Sequence, residues 1–201
     1  MKKRLALWLL RALGWRVGGT QPNLDRYVLI AAPHTSNWDF PLMLAFAAVY
    51  DMRISWMGKH SLFKPPWGFF MRALGGVPIK RDRNHNVVEA MVETFNQSKK
   101  LVLVVPTEGT RKRVDYWKSG FYHIAHQANV PIVPSFLDWG SKCGGFGPAL
   151  IPTGDVVADM QYFRDFYAGM RGKFHDQFGP IVLREEAEQT SEAMKRTGTG
   201  P

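Results

Sequence analysis

The sequence predicts an α/β domain with a central, mostly parallel sheet flanked by helices. Three observations lead there. Short continuous apolar runs at residues 27–32 (YVLIAA) and 101–105 (LVLVV) have the length of strands and lack polar alternation, the pattern of strands covered on both faces. Segments with helical spacing lie between such runs, and strands separated by helices form layered α/β sheets. The 201 residues, 45% hydrophobic, are enough for one domain with its own core, and no linker or internal repeat divides them.

The elements follow in order. Residues 4–17 (RLALWLLRALGWRV) are apolar apart from three arginines. In a helix Arg4 and Arg11 share one face, and Leu5, Trp8, Leu9, Ala12 and Leu13 share another. The apolar part is too short to span a bilayer, which needs about 20 residues. No clear small-residue cleavage site follows, and Arg11 interrupts the apolar region, unlike a signal peptide. Residues 1–18 are therefore expected to form an amphipathic helix on a membrane surface. A helix packed on the domain is the other reading, and the two are compatible.

Residues 27–32 are a buried strand. Residues 37–50 are a helix with Ser36 or Asn37 as N-cap. Residues 53–57 are a strand. The aromatic-rich stretch 61–73, with Pro65 and Pro66 near its start, is partly helical, and Gly75 and Gly76 break the chain before a strand at 77–79. Residues 84–97 have helical spacing, with Val88, Met91, Val92 and Phe95 on one side. The strand at 101–105 precedes a helix at 118–127 and a strand at 131–136. Residues 137–157, rich in Gly and Pro, have no clear assignment. Residues 158–174 read as helix. The domain proper is expected to span 19–184, with 185–201 a polar, disordered tail.

The formal net charge is +9, and residues 1–24 carry Lys2, Lys3, Arg4, Arg11 and Arg16 with no acid. Further basic clusters lie at Lys80, Arg81 and Arg83 and at Arg111, Lys112 and Arg113. Such a surface suits anionic lipid, a phosphorylated substrate or nucleic acid. The basic residues are interleaved with chemistry-bearing blocks, and no recognised nucleic-acid module is present, which disfavours the last. The single cysteine, Cys143, excludes an intramolecular disulfide framework and points to a reducing compartment. The chain has seven Trp and 13 Phe. Phe63, Trp67, Phe69 and Phe70 suit a core, an acyl groove or a bilayer interface equally well.

Three constellations carry chemistry. In residues 33–40 (PHTSNWDF) a strand ends and His34 occupies the following turn. Asp39 comes five residues later, on the first turns of the next helix, where it can fold back on the imidazole. A carboxylate on one ring nitrogen fixes the tautomer and leaves the other nitrogen free to take a proton from a substrate hydroxyl. If that hydroxyl attacks a thioester directly, no serine nucleophile is needed. Residues 105–111 (VPTEGTR) follow the clearest strand. Gly109 permits close backbone approach, Arg111 offers a planar fork for phosphate or carboxylate, and Glu108 can orient the arginine or meet an acceptor hydroxyl. Residues 75–81 (GGVPIKR) end a strand on Lys80 and Arg81. All three sit at strand ends, where ligands gather in α/β sheets. His123 and His126 lie three apart on a predicted helix, but no third ligand joins them, and metal binding is not expected.

In this order the blocks resemble the glycerolipid acyltransferase family, which includes the lysophosphatidate acyltransferases. His34 and Asp39 match its His-x4-Asp block. Residues 75–81 match its Gly-led strand closing on Arg. Glu108, Gly109, Thr110 and Arg111 match its Glu-Gly-Thr-Arg block in full, and residues 130–134 its Val-Pro-Ile-Val-Pro strand. Lys118 and Gly120 match a Lys-x-Gly step after the third block. The resemblance covers residues 27–136. It departs from the family where Pro106 and Thr107 replace a Phe-Pro pair before Glu108.

The resemblance implies a general base in His34, with Asp39 as its partner. It implies an acceptor headgroup site of Arg81, Glu108, Gly109, Thr110 and Arg111, and an acyl donor thioester on coenzyme A or acyl carrier protein. The expected acceptor is a lysophospholipid-like alcohol, with no metal or other cofactor. The expected location is peripheral, on the cytoplasmic face of a membrane bearing anionic lipid. The alternatives are another lipid acceptor, a thioesterase in which water replaces the acceptor, and a non-catalytic lipid-binding protein on the same scaffold.

Overall fold

The computed structural model describes residues 2–79 and 84–189; Arg81 lies outside them. Seven strands form one sheet: β1 (Arg16–Gly18), β2 (Arg26–Ala31), β3 (Ser55–Lys59), β4 (Gly76–Ile79), β5 (Leu101–Pro106), β6 (Ile132–Asp138) and β7 (Cys143–Phe146). Their order is β1-β7-β6-β2-β5-β3-β4. Every neighbouring pair is parallel except β6 and β7, so β7 and β1 run opposite to the rest.

The apolar runs become the central strands because both faces of the sheet are covered. In β2 the side chains of Val28 and Ile30 enter one core, with Met91, Phe95, Phe121, Ile124 and Phe163. Tyr27 and Leu29 enter another on the opposite face, with Ala47, Trp56 and Phe63. Helices α4 (Asn84–Gln97), α5 (Gly120–Gln127) and α6 (Val156–Tyr167) thus cover one side, and α2 (Asp39–Val49) the other.

The amino-terminal segment is divided differently from the expected 1–18 helix. Helix α1 spans Lys2–Ala12, and β1 then joins the sheet. Leu10 and Trp15 are buried with Leu42 and Phe46 of α2. The face expected to be apolar is nevertheless open to solvent: Leu5, Trp8, Leu9 and Leu13 are all exposed. The segment is therefore packed on the domain through one side and leaves an apolar side exposed.

Other boundaries move. The second helix starts at Asp39 with Trp38 at the cap position, and no side chain caps it. Ser36 and Asn37 stay in the loop, because the Asp39 carboxylate accepts the Thr35 and Ser36 N–H groups and draws the chain into a turn. The predicted 158–174 helix ends at Tyr167. Residues 168–174 (AGMRGKF) hold two glycines, which are weak helix formers. In the expected disordered tail, residues 184–189 are helical. Glu186 is buried there and pairs with Arg164 at 2.7 Å, which holds this part against α6. Residues 190–201 lie outside the described chain.

Candidate active site

Strands β2 and β5 are adjacent, with Ala31 opposite Pro106, so the loops leaving their carboxyl ends lie side by side. One carries His34, the other residues 108–111. His34 Nδ1 lies 3.2 Å from Asp39 Oδ2, with Asp39 nearly sealed from solvent and the imidazole less so. Asp39 Oδ2 also accepts the backbone N–H of Thr35 (3.0 Å) and Ser36 (2.8 Å). Its other oxygen accepts the indole N–H of Trp139 at 3.0 Å. A buried carboxylate is costly unless donors surround it, and this one is surrounded. The imidazole therefore has a fixed partner on Nδ1, which leaves Nε2 as the nitrogen available to a substrate.

The loop is pinned from two further sides. Glu108 Oε1 accepts the His34 backbone N–H at 3.0 Å, and the Thr107 hydroxyl lies 3.3 Å from Glu108 Oε2. Glu108 is 1% exposed. Burial pushes its carboxyl up from the ordinary carboxylate range, against the lowering effect of the His34 N–H. On the far side the Thr35 hydroxyl accepts the Phe174 N–H (3.2 Å), and a Cβ on Gly172 would come within 2.5 Å of Thr35 Oγ1.

A cavity of about 470 Å³ opens at this point. His34, Asp39, Gly109, Thr110 and Arg111 line one end, and Arg111 is exposed at its rim. Gly109 adopts φ +66°, and a Cβ there would meet Lys118 Cγ at 3.1 Å, so the turn favours glycine. From there the wall is apolar and runs between α2 and the sheet: Phe40, Met43 and Ala47 face Leu29, Trp56 and Val104. An apolar slot ending in a few convergent polar groups is the usual form of a small-molecule site.

The expected site residues thus divide. His34, Asp39, Gly109, Thr110 and Arg111 meet at one end of the cavity. Glu108, expected at the acceptor, turns inward instead and ties the two loops together, because its oxygens are taken by His34 and Thr107. Arg81 lies outside the described residues. Of the two discounted histidines, His123 pairs with Glu185 at 3.4 Å and His126 stacks on Tyr122. Among the described residues, no group of three or more side chains could hold a metal.

Trp139 is the contributor that the sequence concealed. It follows β6, outside every block. Its ring stands edge-on to Trp15 at 5.1 Å, and the ammonium groups of Lys142 and Lys173 lie 4.3 and 4.9 Å from its centroid. An indole in a Gly-rich stretch carries no spacing signal, so only the fold discloses it.

A family model described as Acyltransferase matches residues 16–138. A 1-acyl-sn-glycerol-3-phosphate acyltransferase of Haemophilus influenzae is 28% identical over 126 residues, which cover 59% of this chain and 50% of that protein. The chain thus spans about half the length of this curated relative. The solved structure of a 1-acyl-sn-glycerophosphate (LPA) acyltransferase, PlsC, from Thermotoga maritima superposes with a TM-score of 0.57 at 18% identity. The superposition covers 94% of this chain and 78% of that one, a likeness of fold. The family match runs from the first strand through the sixth and takes in both loops that meet at the cavity. On that ground, this chain belongs to the glycerolipid acyltransferase family.

Proposed function

We propose that the protein moves an acyl group from a thioester onto a hydroxyl of a lysophospholipid-like acceptor, with His34 as general base. The observation that carries this reading is the Asp39-anchored imidazole at the polar end of an apolar cavity. His34 Nε2 takes the acceptor's proton as its oxygen attacks the thioester carbonyl. The tetrahedral intermediate collapses by breaking the C–S bond, and the imidazolium returns the proton to the departing thiolate. Asp39 stabilises the imidazolium between these steps, and Trp139 holds Asp39. The acyl chain lies in the apolar slot under α2. Arg111, with Arg81, receives an anionic acceptor headgroup. The donor is an acyl-CoA or acyl carrier protein, both acidic and suited to a basic chain.

The protein works at a membrane bearing anionic lipid, on its cytoplasmic face. Support comes from α1 and the turn after it, where the exposed Leu5, Trp8, Leu9 and Leu13 stand among Lys2, Lys3, Arg4 and Arg11. No helix among the described residues is long and apolar enough to cross a membrane.

The test is incubation of purified protein with labelled acyl-CoA or acyl carrier protein and a panel of lysolipids, read by product mass. Acyl transfer to a lysolipid is expected, and His34→Ala should lower it by at least about a hundredfold. Release of free fatty acid alone would favour the thioesterase, and full activity in a folded His34→Ala variant would remove the base.

A further inference from the structure

After β3 the chain forms a 3₁₀ turn (His60–Phe63) and the short helix α3 (Gly68–Ala73). Phe63 anchors this segment. It is buried, the Arg72 guanidinium lies 5.3 Å from its ring centroid, and a Cβ on Gly68 would strike its carbonyl oxygen at 2.1 Å. The other large side chains point outward. Trp67 is 66% exposed, Phe69 76% and Phe70 57%, with Leu62 at 49%. The rings are contiguous: Phe70 has its centroid 6.3 Å from that of Trp67 and 5.8 Å from that of Phe69. A contiguous apolar plate of this kind marks an interaction surface, whereas scattered exposed residues do not.

Charge selects the partner. Between Asp51 and Asp82 the sequence has no acid, but it has Arg53, Lys59, Lys64, Arg72, Lys80 and Arg81. A stretch of sequence that combines Trp and Phe with cations and no acid complements anionic headgroups over an apolar layer. The plate also adjoins the cavity. Lys59, Leu62 and Met71 line it, and because Leu62 is half exposed, the cavity reaches the surface there.

We propose that residues 59–74 are a second lipid-docking surface, separate from α1, which seats on a bilayer containing anionic lipid and sets the cavity mouth at Leu62 against it. Acyl chains then pass between membrane and cavity without crossing water. The use of the mouth rests on the proposed acyl-chain role of the cavity. Docking itself is read without turnover, so the two ideas fail separately.

The experiment is co-sedimentation of the full chain with mixed phosphatidylcholine–phosphatidylglycerol vesicles and with phosphatidylcholine alone. The wild type should prefer the mixed vesicles. Phe69→Ser with Phe70→Ser should bind them at least about tenfold more weakly at an unchanged melting temperature, since both rings are already in water. Trp67→Ser alone gives the same reading if the double variant does not fold. In a Cys143→Ser background, a polarity-sensitive dye on Leu62→Cys should shift to the blue when mixed vesicles are added. Undiminished binding by the folded plate variants, or a dye that stays in water, overturns the proposal. So does a wild-type dimer that these substitutions dissociate while vesicle binding persists, because the plate would then seat a second copy of the chain.

Discussion

At the scale of single residues, the site depends on donors that no motif records. Trp139→Phe keeps a ring against Trp15 but removes the N–H from Asp39. A hydrogen bond to a charged group contributes about 1.5–3 kcal/mol, so kcat should fall roughly tenfold or more while both KM values hold. Wild-type kinetics in the variant would reduce Trp139 to packing.

Glu108 makes a separate prediction. Its folded-state pKa is raised by burial, so its stabilising contribution is complete below the ordinary carboxylate range and is lost as pH rises through the elevated value. Glu108→Gln removes that ionisation, so its melting temperature should gain on wild type as pH rises. Glu108→Ala leaves the part-buried His34 N–H without its acceptor and should cost about 1–3 kcal/mol at low pH, less as pH rises. A wild type and Gln variant that melt in parallel across pH would contradict the raised pKa.

At the scale of elements, legibility followed burial. The strands buried on both faces, β2 and β5, and helix α4 were plain in the sequence. So were the two loops that carry His34 and Arg111, whose side chains must sit at strand ends. The β7–β1 pair was not legible, because Arg16–Gly18 and Cys143–Phe146 are short and rich in glycine, a residue depleted in strands. Here glycine serves close approach: a Cβ on Gly145 would fall 1.6 Å from the Gly18 carbonyl oxygen. Helix α1 was half legible, since its pattern gave the helix but not which apolar residues face inward. The distinction matters for experiment. Deleting residues 1–18 removes Leu10, Trp15 and a strand, and should unfold or strongly destabilise the domain. Leu10→Ala alone should cost about 2–5 kcal/mol. Trp8→Ser with Leu9→Ser, on the open face, should leave the melt unchanged and weaken vesicle binding. A stable deletion mutant would show that α1 is only an appendage.

At the scale of the whole molecule, the helix–sheet interface is both core and cavity wall, and under the proposed function it also holds the acyl chain. Ala47 lines the cavity and belongs to the core beneath α2. Ala47→Leu should shorten the slot and shift donor preference toward shorter acyl chains. Each methylene left unburied forfeits about 0.8 kcal/mol, roughly a fourfold loss in binding. Competition between two acyl-CoA lengths, read by product mass, measures the shift. Unchanged preference would place the chain elsewhere.

The pairing of β1 with β7 also sets an order of assembly. During synthesis α1 can meet α2 soon after both have emerged, but β1 has no strand to join until Cys143–Phe146 has been made. Through that interval the amino-terminal segment is tethered by helix contacts alone, with Leu5, Trp8, Leu9 and Leu13 open to whatever apolar phase is near. A nascent chain beside a membrane could therefore be captured before its sheet is complete. Delivery to the membrane would then begin with translation instead of following release.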